Sequence, residues 1–251
     1  MAFHFQIGEI SRFFDVPAST LRYWEDMGVL NPLKGSENHY REYTIEDLMT
    51  ISDVIFYKNL GLSLKQIRGM ESATPEQHSR LFAEKLSELE QEQKLLRQRM
   101  EKLRRHRKAI QMMEELKRDP YRETDIDTDC IVSFDLIERD KLCQYIDNPY
   151  LYSRVQHSAH PEEEQRGLTV PADLKIQFSD SQVLWKKRSS RYVTFLMKEE
   201  IADGFPNDLQ GHLLNIQKTY KTGAMISRFL LCAQEDGKVY DFYRTFVEIK
   251  S

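Results

Sequence analysis

The sequence predicts an α+β protein, and three features carry that prediction. Four short helical patterns crowd the first seventy residues, one unbroken helical pattern follows over 75–120, and from residue 121 short β-type runs surround a single helix. Three stretches are therefore expected, 1–74, 75–120 and 121–251, each with its own spacing of apolar residues.

The first stretch is punctuated by capping residues. Thr44-Ile-Glu-Asp47, Ser63-Leu-Lys-Gln66 and Thr74-Pro-Glu-Gln77 each set a hydroxyl three residues ahead of an acid or amide. That spacing lets the two side chains satisfy two orphan N–H groups at a helix start. Pro75 falls at a first helical position, where its missing N–H costs nothing. Gly61 is placed to end the helix opened at Thr44, and Gly28, with Pro32 beyond it, to end one opened near Pro17. Helices are expected near 7–14, 17–27, 44–60 and 63–70. Between the second and third, Asn31 to Tyr43 is polar and irregular, and His39, Arg41 and Tyr43 alternate with Tyr40 and Glu42 in the manner of a small β-ribbon.

From Pro75 to Arg118 there is no glycine and no internal proline. Phe82, Leu86, Leu89, Gln93, Leu96, Met100, Leu103, Arg107 and Ile110 recur in alternating steps of four and three, a heptad seam. At 1.5 Å per residue such a helix runs about 60 Å. It cannot bury the seam alone, so a partner helix is expected, with Gln93 and Arg107 interrupting the seam and fixing register. Arg97–Lys108 holds seven Lys/Arg and one Glu. This run reads as a solvated helix face, with phosphate contact as the alternative.

In the third stretch Cys130–Ile137, Ile176–Trp185, Tyr192–Met197, Met225–Ala233 and Val239–Ile249 read as strands, paired antiparallel. Asn207-Asp-Leu-Gln210 opens a helix with Leu209, Leu213, Ile216 and Tyr220 on one stripe, closed at Gly223. Asp236-Gly237 is the turn of a hairpin, because this pair supplies positive φ. Residues 157–173 are expected as a polar loop.

Composition narrows the function classes. With 40% apolar and 30% charged residues the chain has the make-up of a soluble protein. No apolar run reaches the roughly 18 residues of a membrane span, and Met1–Ile10 lacks the pattern of a signal peptide. A cytoplasmic location with no membrane partner is expected. Cys130, Cys143 and Cys232 are odd in number and far apart, which suits reduced thiols rather than a disulfide framework. Net charge is −4 overall, and residues 1–74 carry seven Lys/Arg against ten Asp/Glu. Bulk charge therefore argues against nucleic-acid binding, and motifs must decide.

Two short helices joined at Asp15-Val16-Pro17 suit a helix-turn-helix, whose second helix enters the major groove. On that helix Leu21 and Trp24 share one face and Ser19, Arg22 and Tyr23 the other. Ile7-Gly-Glu-Ile-Ser, Ser19-Thr-Leu-Arg-Tyr-Trp-Glu25, Gly28-Val-Leu, Tyr40-Arg-Glu-Tyr43, Asp47-Leu and Leu60-Gly-Leu-Ser-Leu-Lys-Gln-Ile67 together closely resemble the MerR family of transcription regulators. The resemblance covers residues 5 to about 70 and runs on into the long helix. It implies a winged helix-turn-helix over 1–74, an antiparallel coiled-coil dimerisation helix over 75–120 and an effector-binding domain over 121–251. It also implies a homodimer on palindromic promoter DNA, which it distorts so that RNA polymerase engages an overlong spacer, switching by deformation energy rather than base contacts alone. By matching position, DNA contacts fall to Ser19, Thr20, Arg22, Tyr23, Tyr40, Arg41 and Lys58. Trp24 stands where tyrosine is usual; it either packs inward beside Leu21 or touches DNA.

Arg191-Tyr-Val-Thr-Phe through Tyr243-Arg-Thr-Phe-Val-Glu-Ile249 resembles the effector domain of multidrug-binding MerR regulators and the related gyrase-inhibitor-like domains. That resemblance implies a small aromatic or hydrophobic effector held among aromatic side chains. The candidates are Phe134, Tyr145, Tyr152, Trp185, Tyr192, Tyr240 and Tyr243, with Tyr150, Phe178 and Phe229 also available. Cation-binding relatives keep a buried glutamate where Arg228 falls here, so an inward Arg228 implies an anionic or polar ligand. No cofactor and no metal are expected: the long helix opens with Gln77-His-Ser-Arg80 rather than cysteine, and His157 and His160 lie in a Glu-rich stretch. No catalytic residue is assigned, since no nucleophile–base spacing is legible. Two alternatives stay open: a C-terminal small-molecule hydrolase or scavenger, and a constitutive DNA-bending regulator whose C-terminal domain only packs.

Overall fold

The computed structural model describes residues 4–34, 41–170 and 182–250. Tyr40 and Phe178, and the parts of the expected ribbon and strand around them, lie outside the described residues. The chain divides into two compact units, Met1–Leu95 and Leu96–Ser251.

The first unit holds α1 (Ile7–Phe14), α2 (Ala18–Asp26), β1 (Leu33–Lys34), β2 (Arg41–Glu42), α3 (Ile45–Asn59) and α4 (Leu64–Met70). The expected caps are present. Thr44 accepts from Asp47 N–H at the start of α3, and Ser63 accepts from Gln66 N–H at the start of α4, each reciprocated by the partner side chain. β1 and β2 pair antiparallel, Leu33 opposite Glu42 and Lys34 opposite Arg41. Phe5 and Tyr43 exchange two backbone hydrogen bonds of 2.9 Å, which tie the N-terminal segment to this ribbon. One core, centred on Ile10, Leu21, Trp24, Tyr43, Ile51, Val54 and Leu62, joins the helices and the ribbon. Leu21 and Trp24, three apart on α2, both point into it, so Trp24 packs, with 6% of its surface exposed.

Helix α5 (Pro75–Arg118) is 44 residues long and opens on the third expected cap, where Thr74 N–H donates to Gln77 Oε1 at 2.7 Å. Leu86, Leu89, Leu96, Met100 and Leu103 of the heptad seam are exposed.

The second unit is an antiparallel sheet of eight strands, in the order β3 (Arg122–Thr124), β8 (Arg191–Glu200), β10 (Lys238–Lys250), β9 (Lys221–Glu235), β5 (Tyr152–His157), β6 (His160–Thr169), β4 (Cys130–Ser133) and β7 (Val183–Lys186). The period-2 alternation of β10 sorts its residues onto two faces. Tyr243, Val247 and Ile249 lie under α7 (Leu209–Gln217), with Val193, Phe195 and Met197 of β8 and Leu209, Leu213 and Ile216 of the helix. On the opposite face Phe242 packs with Ala109, Met112, Met113 and Leu116 of α5, and Phe246 with Ile126, Ile131, Trp185 and Tyr192. The hairpin between β9 and β10 turns on Asp236 and Gly237, with φ of 50° and 80°, the two left-handed residues of a type I′ turn.

Three expectations fail here. The polar loop expected over residues 157–173 is, in its described part up to residue 170, largely a strand: His160–Thr169 forms β6, paired with β5 and, at its end, with β4. The strand expected over Cys130–Ile137 stops at Ser133 and gives way to helix α6 (Arg139–Asp147). Gly223 does not close α7 but sits inside β9, where a Cβ would lie 2.3 Å from Glu248 Oε2. That glycine is required by a close approach across strands, not by a helix end.

Candidate functional site

Two surfaces concentrate the chemistry. In the first unit, Ser19, Arg22 and Tyr23 are spaced three and four apart on α2, opposite the Leu21–Trp24 face, and all three are exposed, while Thr20 is half-buried. Lys58, in the last turn of α3, is exposed as well. Arg41 of β2 is tied back to α2: its Nε donates to Glu25 Oε2 at 2.5 Å, and Tyr43 Oη donates to Glu25 Oε1 at 2.5 Å. The Glu25 carboxylate raises Arg41 above its ordinary range, and burial followed by the Glu25 contact pushes the Tyr43 hydroxyl up. Glu25, unassigned from sequence, thus joins the second helix to the ribbon and leaves the Arg41 guanidinium 42% exposed at the side-chain level.

In the second unit a cleft of about 910 Å³ opens on the sheet face that carries α7. Phe134, Tyr145 and Tyr152 form its aromatic wall, with ring centroids 5.8–6.4 Å apart. Phe229 and Tyr243, 5.8 Å apart edge-to-face, form another. Among its charged lining, Arg154 and Glu199 are the buried pair, with side chains 9% and 6% exposed. Arg154 Nη1 and Nη2 donate to the two Glu199 oxygens at 2.6 and 2.7 Å, Nη2 also to Tyr243 Oη at 2.6 Å, and Nη1 to Glu164 at 3.0 Å. The guanidinium lies over the Tyr243 ring at 4.4 Å. Burial lifts the Tyr243 and Tyr152 hydroxyls and the Asp241 carboxyl above their ordinary ranges.

The structure therefore brings four of the sequence-predicted effector residues together, Phe134, Tyr145, Tyr152 and Tyr243. It separates the other four. Trp185 and Tyr192 are core residues of the opposite face, because they occupy the outward phase of their strands relative to the cleft. Tyr240 lies in the cluster under α5 with Phe242. Arg228 lines a different cavity and pairs with Asp127. A buried glutamate is nonetheless present, as Glu199 on β8. The Arg154–Glu199 pair was invisible from sequence, since its partners are 45 residues apart and only strand pairing brings them together.

The helices of the first unit, its ribbon and the exposed Ser19, Arg22 and Tyr23 of its second helix define a winged helix-turn-helix module. Residues 5–74 match the family described as MerR HTH family regulatory protein. The chain is 30% identical over 86 residues to the HTH-type transcriptional activator TipA of Streptomyces coelicolor, covering 33% of this chain and 34% of that protein. It is 29% identical over 96 residues to the multidrug-efflux transporter 2 regulator of Bacillus subtilis, covering 38% and 35%. The match thus spans about a third of the length of these curated relatives. Among solved structures, an EcmrR–DNA complex aligns over 97% of this chain and 99% of that one, at 16% identity and a TM-score of 0.37. Among the described residues no helix is long and apolar enough to cross a membrane.

Proposed function

We propose that the chain is a cytoplasmic, DNA-binding transcription regulator of the MerR type, and not an enzyme. In this reading 1–74 reads palindromic promoter DNA, 75–120 pairs with its copy in a homodimer, and 121–251 senses a small molecule, with RNA polymerase as the partner at the promoter. The observation that carries it is the MerR-type head with Ser19, Arg22, Tyr23 and Lys58 exposed on its helices and Arg41 on its ribbon. Arg22→Ala removes charge-assisted phosphate contacts worth about 1.5–3 kcal/mol. Mobility-shift titration on the promoter of the protein's own gene is expected to show at least tenfold weaker binding with an unchanged circular dichroism spectrum. Unchanged affinity overturns the DNA face.

The cleft is the effector site, and its charge sets the ligand class. Among the described residues, Asp135, Glu164, Glu199 and Asp241 line it against only Arg154 and Arg166. That excess of acid, walled by tyrosine and phenylalanine, favours an aromatic ligand bearing a positive charge over the anion implied by an inward Arg228. Calorimetric titration with matched cationic and anionic aromatic dyes is expected to show tighter cation binding, reduced about tenfold in Asp241→Asn. Equal binding of both dyes, or no change in Asp241→Asn, overturns the reading. Hydrolysis of a bound dye returns the enzyme alternative.

A further inference from the structure

A second cavity lies on the opposite sheet face, between α5 and strands β9 and β10. Its volume is about 190 Å³, below the roughly 300–1,000 Å³ of sites that take drug-sized ligands. Arg105 and Lys108 enter it from α5, Arg228 from β9 and Arg244 from β10, and among the described residues Asp127 is the one carboxylate lining it. We propose that this cavity is a binding site for a compact oxyanion carrying a phosphoryl group, distinct from the effector cleft.

The charge and hydrogen-bond inventory supports the assignment. Asp127 is shared between Arg228 Nη1, at 2.5 Å, and Arg244 Nη1, at 3.5 Å, so one negative charge answers two guanidinium groups. Arg105 has a 3.5 Å contact to Glu101, and among the described residues no ion pair is formed by Lys108. Arg228 Nε is buried with no partner, and so is Asn148 Oδ1, which also lines the cavity. A buried unpaired donor is costly unless a ligand takes it up. Burial, then the neighbouring Arg228 and Arg122 charges, press Arg244 below its ordinary range against the pull of Asp127.

Asn148 Oδ1, an acceptor, is not answered by an anion, but the surplus cationic charge and the unpaired Arg228 Nε are both met by a phosphoryl dianion. Its planar-forked contacts suit arginine, its charge offsets most of the surplus, and its oxygens accept from Nε and Nη together. Ala109, Met112 and Leu230 supply apolar walls that keep the local dielectric low and the attraction strong. Tyr150, whose hydroxyl is hydrogen-bonded to His106 Nδ1 at 2.8 Å, closes one side with an aromatic ring. Because two of the cations belong to α5 and two to the sheet, a bound anion ties the helix to the sheet. The site is therefore placed to make α5 packing depend on a phosphorylated metabolite or on free phosphate.

The test uses the full chain. Inorganic phosphate, titrated in a thermal melt against sodium chloride of equal ionic strength, is expected to raise the melting temperature beyond the chloride control. Phosphorus NMR is expected to show the probe broadening on binding. Lys108→Glu, at an exposed helix position that does not threaten folding, is expected to weaken phosphate binding at least tenfold while preserving the circular dichroism spectrum. Phenyl phosphate binding more tightly than inorganic phosphate assigns a phosphate ester stacked on Tyr150; equal or weaker binding assigns the free ion. Phosphate and chloride acting alike, or Lys108→Glu retaining full affinity, overturns the proposal.

Discussion

Glu25 shows how one side chain joins two secondary elements. It lies on the second helix, only 11% exposed at the side chain, and accepts from both Arg41 and Tyr43 of the ribbon. Removing it strands a buried tyrosine hydroxyl and frees the arginine expected to clamp phosphate, at a cost of about 1–3 kcal/mol. Deleting a negative charge beside DNA strengthens binding if simple Coulomb attraction decides. If positioning of Arg41 decides, Glu25→Ala weakens operator binding several-fold, and that is the expected result of a mobility-shift comparison at matched salt. Tighter binding by the variant rejects the positioning role. At this scale legibility divided along periodicity. Leu21 could be placed inward by its helical spacing, whereas Trp24 stayed open between packing and DNA contact until its burial placed it in the core. Arg154 could not be placed inward, because an arginine inside a strand reads as an exposed residue until its carboxylate partner, far away in sequence, is known.

Among the elements, the helices were readable because their ends carry local chemistry. The hydroxyl–acid and hydroxyl–amide pairs at Thr44, Ser63 and Thr74 each form the hydrogen bonds their spacing implies. Strands β5 and β6 were not readable as a pair. His160 to Arg166 is polar and largely exposed, and its strand state comes from pairing with β5 rather than from any apolar alternation of its own. Helix α6 was lost for a related reason, since Leu136 and Ile137 extend the apolar run of β4 while being 59% and 86% exposed. The exposed seam of α5 bears on assembly. Leu86, Leu89, Leu96, Met100 and Leu103 present apolar surface at heptad spacing, which a single helix leaves in water. A fragment ending at Thr74 is expected to sediment as a monomer and to bind the operator poorly, while the full chain sediments as a dimer. A tight dimer of the fragment places the interface elsewhere.

Across the second unit, α5 and the sheet are joined by an ionic cluster as well as by packing. Glu235, at the end of β9, accepts from Lys117 of α5 at 2.5 Å and from Lys198 of β8 at 3.2 Å. Lys117 also lies 5.3 Å over the Phe242 ring, beside the apolar contacts of Ala109 and Leu116. The Lys117 and Lys198 hydrogen bonds hold the Glu235 carboxyl below its ordinary range. A carboxylate so depressed adds stability that is complete above the unfolded glutamate value of about 4.3 and is lost as pH falls through the lower folded value. Glu235 is partly exposed, so solvent screening limits the contribution to about 1 kcal/mol. Glu235→Gln is therefore expected to be less stable than the parent at neutral pH, and the two are expected to converge in acid. The measurement is a set of denaturant melts from neutral pH down to well below the ordinary glutamate range. A constant offset between the two curves means that the glutamine acts through lost packing rather than lost charge, and that the lysines hold the α5 end to the sheet without help from the Glu235 carboxylate.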